Sequence, residues 1–216
     1  MVYNVSLKGQ SPFSPSPRNI YVNFKRSESL FTLTKIWIYR VGDDNPRMCT
    51  AVRLSKFGLA TIVRTRSALP RRALLLDPYS AYALSPSDEI IASKYGIALI
   101  DASWEHVRNI FPKIKNKERR ALPFLVAGNP VKQDQPMTLS TAEAVAAALY
   151  IIGHMPEAIS ILSAFRWGYH FMEINKRLLD EYSACSSSSD VVSVQLRELE
   201  RRQRDTRNPP SVLNGI

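Results

Sequence analysis

The side chains able to do acid–base, nucleophilic or metal chemistry are scattered through this chain rather than grouped. His106, His154 and His170 each stand alone in helix-forming surroundings, with no serine or cysteine at a spacing that would build a nucleophilic triad. They read as surface or core histidines. Cys49 and Cys185 match no metal-ligand spacing. Asp43 and Asp44 of "GDDNP" (42–46) read as a turn, because no further ligand lies near them. No metal is expected, and there is no glycine-rich phosphate loop. What does cluster is positive charge. "RTRSALPRR" carries Arg64, Arg66, Arg71 and Arg72, and "KIKNKERR" carries Lys113, Lys115, Lys117, Arg119 and Arg120. Lys+Arg number 29 against 19 Asp+Glu, a net charge of +10, so these runs are expected to track the phosphates of RNA or DNA. Phe57, Tyr79 and Tyr82 lie near them in sequence, as base stacking would want.

Whatever positions these groups is an α/β framework. Apolar, β-rich runs occur at 35–39, 59–63, 73–77, 97–101 and 122–127, separated in several places by helical patterns. "SPSDEIIASKYG" (85–96) starts on serine and acidic residues and ends on Gly96, and "SWEHVRNIF" (103–111) repeats Trp104, Val107 and Phe111 at helical spacing. Near-continuous apolar strands alternating with helices predict a mainly parallel, five-stranded sheet covered on both faces. Such sheets bind ligands at the carboxyl ends of their strands, which directs attention to Asp77, Asp101 and Ala127.

After the break at Gly128-Asn129-Pro130 the pattern is wholly helical. Ser140 and Glu143 of "LSTAEA" form a capping box. The last helix, Asp190 to Arg204, is expected to share one face among Val192, Leu196 and Leu199. The expected organisation is an N-terminal extension (1–33), an α/β domain (34–123), an all-helical domain (124–205) and a loose tail (206–216). The longest apolar stretch is about half a membrane span, the first thirty residues lack a signal peptide's apolar core, and two cysteines make no disulfide scaffold. A cytoplasmic protein without membrane contact, acting as a monomer, is expected.

Read in order, "CTAVRLSKFGLA" (49–60), "YALSPSDE" (82–89), "IDASW" (100–104), "RRALPFLVAGNPV" (119–131), "LSTAEAVAAALYIIG" (139–153) and "FRWGYHFMEINKRLLDEY" (165–182) resemble the Tsr3 family of small-subunit rRNA aminocarboxypropyltransferases. The resemblance runs from about Lys35 to Tyr182. It implies a SPOUT-like fold with a deep trefoil knot, S-adenosylmethionine as cofactor, and small-subunit rRNA or its precursor particle as partner. The reaction it implies moves the 3-amino-3-carboxypropyl group to N3 of a modified uridine or pseudouridine. Carried over residue by residue, Leu76 and Trp104 would wall off the sulfonium methyl. Thr50 would hold the amino-acid carboxylate, Ile100 would meet the ribose, and Phe124, Leu125 and Leu139 would border adenine. Asp101 would stand near the reacting centre, either accepting the N3 proton or holding the substrate amino group. This chain has Lys132-Gln133-Asp134 where the family commonly has Asn-Tyr-Gly, Ala102 for cysteine and Ala51 for glycine. Two other functions fit the same residues: a SPOUT-class RNA methyltransferase, and a non-catalytic rRNA-binding assembly factor.

Overall fold

Alternation of apolar side chains lets each central strand bury both faces. The computed structural model describes residues 33–42, 45–130 and 138–207. The expected N-terminal extension, Asp43-Asp44, the Lys132-Gln133-Asp134 departure and the tail from 208 fall outside these, as do the side chains of Trp104 and Glu105. Strands β1 (Ile36–Arg40), β2 (Thr61–Val63), β3 (Leu74–Leu76), β4 (Ile97–Asp101) and β5 (Arg119–Arg120) form one sheet of order β2-β1-β4-β3-β5, parallel throughout. Ile36, Ile38, Leu74, Leu76, Ile97 and Leu99 point into one hydrophobic cluster, while Trp37, Tyr39, Leu75, Ala98 and Ile100 point into the other. This two-residue period fills both layers from the same strands.

Helices cover both faces. The larger cluster takes α1 (Thr50–Lys56), α2 (Glu89–Tyr95), α4 (Thr141–Ile151), α5 (Met155–Ser163), α6 (Gly168–Ser183) and α7 (Ser188–Arg207). The smaller takes α3 (Trp104–Ile110) and the turn after it, through Val107, Phe111 and Ile114. Helix α4 is buried almost all round, and its run Ala146-Ala147-Ala148 lets neighbouring backbones approach it closely. Gly96 ends α2 at φ +82°, and a Cβ there would sit 2.4 Å from the carbonyl oxygen of Lys35, the residue before β1. The sheet and the C-terminal helices share one core.

Two expectations are corrected. The fifth strand is Arg119–Arg120, continued by a bridge from Ala83 to Ala121, rather than 122–127. From Leu122 the chain leaves the ladder because side chains take over its backbone groups. Phe124 N–H donates to Gln195 Oε1 (2.8 Å), Tyr182 Oη donates to Phe124 O, and Asn175 both accepts from Val126 N–H and donates to Val126 O, each at 2.8 Å. Asn175 therefore acts as a one-residue strand edge.

The inward face of α7 is centred on Val191, Val194 and Glu198; of the three residues expected there, Val192 packs half-buried against the same core, Leu199 is half-buried and Leu196 is exposed. A buried glutamate fits this stripe because Arg177, Arg201 and Arg202 all converge on its carboxylate. The hydrogen bonds from Arg201, set against the penalty of burial and joined by those from Arg202 and Arg177, hold Glu198 down to about 2 from its ordinary 4.5. A depressed carboxylate stabilises the fold above its unfolded value and loses that contribution as pH falls through the folded one. Thermal stability should therefore decline between pH about 4.5 and about 2, and Glu198→Gln should flatten that decline while lowering stability at pH 7. Parallel pH profiles for the two proteins in thermal unfolding would contradict this role.

Candidate active site

A cavity of about 1120 Å³ opens at the carboxyl ends of β1, β3 and β4, where a parallel sheet leaves its strand ends free to be roofed by loops. Leu76 and Asp77 at the end of β3, Ile100 and Asp101 at the end of β4, and Cys49 and Thr50 at the start of α1 form one side. Phe124, Leu125, Leu139, Ser140 and Thr141 form the other. The structure thus brings Thr50, Leu76, Ile100, Asp101, Phe124, Leu125 and Leu139 around a single space. Trp104 opens α3, three residues beyond Asp101.

Asp101 is held from several directions. Its Oδ1 accepts from Thr141 Oγ1 at 2.6 Å, its Oδ2 accepts from Cys49 Sγ at 3.1 Å, and the Arg40 guanidinium lies 3.7 Å from Oδ2. Burial, opposed by a backbone hydrogen bond from Val52 and aided by Asp101, pushes the Cys49 thiol up to about 11. Cys49 is therefore a protonated donor to Asp101 and not a nucleophile. The Thr50 hydroxyl oxygen accepts from the Ala142 N–H at 3.3 Å, capping a free amide of α4 rather than its own helix. Its proton is left to donate into the cavity.

The loop at Gly128 is organised by Glu143, which is fully buried. One carboxylate oxygen accepts from the Gly128 N–H (2.7 Å) and the Asn129 N–H (3.0 Å), and the other from Ser140 N–H and Oγ (both 2.7 Å). The capping box thus uses only one oxygen, and the second reaches back to clamp the break after Ala127. Gly128 is required by proximity: a Cβ there would lie 2.7 Å from the Phe171 backbone nitrogen and Cα.

The expected cationic surface divides. Arg119 turns inward to Asp77 (2.8 Å), to the carbonyls of Asn116 and Phe111 and to that of Ile114, and Arg120 pairs with the buried Asp88 at 2.8 Å. β5 places both beside carboxylates, so the phosphate contact expected of them would compete with these ion pairs. Arg64, Arg66, Arg71, Arg72, Lys113, Lys115 and Lys117 are exposed. They do not form one patch along "RTRSALPRR": Arg64 follows the carboxyl end of β2, whereas Arg71 and Arg72 precede the amino end of β3. The connection between two parallel strands crosses from one end of the sheet to the other. Arg72 lies on the Tyr95 ring at 4.3 Å.

Several groups at the site lie inside or beside the family-like runs without any pattern of their own that marks a role. Arg40, Cys49 and Thr141 hold Asp101, and Arg53, at the cavity rim, sits 5.1 Å from the Phe165 ring, which in turn packs on Trp167 at 4.9 Å. Only Glu143 had a readable signal, its spacing from Ser140. Among the described residues no His, Cys, Asp and Glu group could hold a metal ion, and no helix is long and apolar enough to cross a membrane.

Comparison with known proteins agrees with this geometry. A family model described as "Ribosome biogenesis protein, C-terminal" matches residues 74–199. The 16S rRNA aminocarboxypropyltransferase of Methanosarcina acetivorans is 44% identical over 162 residues, spanning 74% of this chain and 91% of that protein. The protein of the same name from Methanocaldococcus jannaschii is 40% identical over 166 residues, 77% of this chain and 96% of its own length. The solved structure of the SAM-dependent rRNA:acp-transferase Tsr3 from Vulcanisaeta distributa superimposes with a TM-score of 0.69 at 39% identity, covering 79% of this chain and 98% of that one. The matched family model covers more than half of the chain and these relatives are matched over nearly their whole length, and the chain belongs to the Tsr3 family of rRNA aminocarboxypropyltransferases.

Proposed function

We infer that this protein is an S-adenosylmethionine-dependent rRNA aminocarboxypropyltransferase, and that it modifies N3 of a modified uridine or pseudouridine in small-subunit rRNA. The observation that carries the reading is the joining, in one cavity, of apolar walls with a hydroxyl donor and a fixed carboxylate. The residues suit the cofactor. Leu76, Phe124, Leu125 and Leu139 offer apolar surface for adenine and for the sulfonium methyl. Thr50 has a proton to give a carboxylate, and Asp101 has acceptor capacity for an ammonium.

S-adenosylmethionine supplies a sulfonium with three carbons open to displacement, and the carbon held in line with the nucleophile reacts. This chain chooses among them by burial. Leu76, with Trp104 assigned to the same wall from the resemblance alone, covers the methyl, while Ile100 borders the ribose. Thr50 and Asp101 grip the carboxylate and the ammonium, both at the far end of the amino-acid arm, and so orient its sulfur-bound carbon toward the base. As N3 would form its new bond to the arm, the carbon–sulfur bond would break with its electron pair staying on sulfur, so that a neutral thioether leaves, and the N3 proton would pass to solvent. Asp101, already accepting from Thr141 and Cys49 and facing Arg40, is placed to hold the arm's ammonium rather than to take that proton. The finer fold reading, a SPOUT-like trefoil knot with the Gly128-Asn129-Pro130 break in its backbone, is carried over from the family resemblance; Glu143 holds that break through the Gly128 and Asn129 amides. Mechanical extension ending short of the unknotted contour length would be its signature.

Incubation with small-subunit rRNA and cofactor labelled in either the carboxyl or the methyl group tests the function. Carboxyl label entering RNA is expected. Methyl label instead would make the protein a methyltransferase, and no cofactor binding at millimolar concentration would leave an assembly factor.

A further inference from the structure

Beside the main cavity lies a second pocket of about 480 Å³, built by the turn after β3 and the end of α3. We propose that it seats an unpaired nucleotide flanking the modified one, its base stacked on Tyr79 and Tyr82 and its phosphate held by Arg108 and Lys117. The proposal rests on the rRNA-modifying function and extends it to how the RNA strand is held.

Tyr79 and Tyr82 are 50% and 65% exposed, two large rings left in water within one short turn. The turn is fixed rather than loose. Tyr79 N–H donates to Asp77 Oδ1 (2.9 Å), Ser80 Oγ donates to the Arg119 carbonyl (3.0 Å) while accepting from Tyr82 N–H (3.2 Å), and Ala121 N–H donates to the Tyr82 carbonyl (2.8 Å). Tyr79 meets Phe111 at 5.9 Å with the two rings nearly perpendicular, which fixes the tyrosine ring in place. A rigid, exposed aromatic platform is what sequence-tolerant base stacking requires.

Charge points the same way. Arg119 in this pocket is neutralised by Asp77, but Arg108 and Lys117 are exposed and make no ion pair or hydrogen bond among the described residues. The Arg120 guanidinium lies 5.8 Å from the Tyr82 ring centroid, yet that ring stays 65% exposed. Two unpaired cations beside two exposed rings fit a phosphate and a base, whereas an acidic peptide would leave the rings unused. Continuity supplies the geometry. Asp77, Tyr79 and Phe111 line both this pocket and the main cavity, so a strand whose target base enters the cavity passes directly over the turn.

The test uses the full chain and a small-subunit rRNA fragment containing the target loop. It compares Tyr82→Ala and the pair Arg108→Gln with Lys117→Gln, each confirmed folded by thermal unfolding. Tyr82→Ala should raise the RNA Kd and KM by roughly 5- to 100-fold, in the range of a lost base stack, leaving kcat at saturation and S-adenosylmethionine affinity unchanged. Tyr82→Phe should stay within about twofold. The cation pair variant should also reduce the salt slope of RNA binding by about 1 to 2. RNA affinity and salt slope equal to wild type in both variants would overturn the proposal. Failure of the wild-type protein to transfer carboxyl label is a separate result. It would sink the assigned reaction, and direct RNA binding would still decide the pocket.

Discussion

Glu143→Ala is expected to lower folding stability by about 3–5 kcal/mol and to remove cofactor binding, the range seen when one partner of a buried charged network is deleted. The size follows from its position: fully buried, with four donors converging on two oxygens. Alanine leaves the amides of Gly128, Asn129 and Ser140 and the Ser140 hydroxyl without that acceptor, and each unsatisfied buried donor costs about 1–3 kcal/mol before relaxation. The loss is also local in its effect. Asn129, Ser140 and Thr141 line the cavity, so freeing the clamp detaches the roof of the site from the start of α4. Glu143→Gln keeps one acceptor for two of the donors but turns an amide N–H₂ toward the others, and should fall between wild type and alanine. Denaturant midpoints and calorimetry with S-adenosylmethionine read the two effects. An alanine variant within about 1 kcal/mol of wild type would mean that the loop is held by something else.

Asp101→Ala should fold and lose about 10²- to 10³-fold in kcat/KM, the usual scale for removing one preorganised electrostatic contact at a reacting centre. The manner of the loss distinguishes its two assigned roles. A carboxylate that holds the ammonium raises KM for the cofactor, and the shape of the pH–rate profile stays the same. A carboxylate that accepts the N3 proton leaves a variant whose rate rises with hydroxide where wild type is level. The geometry favours the first outcome, since Thr141, Cys49 and Arg40 already engage this side chain. A loss below about tenfold would remove Asp101 from the reaction altogether.

Much of this arrangement was written in local patterns. Leu74-Leu75-Leu76 and Ile97-Ala98-Leu99 announce doubly covered parallel strands, because alternate residues must each meet an apolar layer. Parallel strands ending together place Leu76, Ile100 and Asp101 at one edge without further information. Ser140 and Glu143 declare the start of α4 because a capping box depends on residues three apart. The long-range partners left no such trace. Nothing near Val126 foretells Asn175, forty-nine positions away, or that its amide would replace a neighbouring strand. Arg119 and Arg120 look like any solvated basic run until Asp77 and Asp88 face them. Glu198 sits at an apolar position of α7 that no periodicity would assign to a charge, and it is tolerated because Arg177 arrives from α6 to join Arg201 and Arg202 on its carboxylate. Propensity and periodicity are properties of neighbours along the chain. The pairing of a buried polar group is a property of neighbours in space, and packing had to bring those partners together before it could be seen.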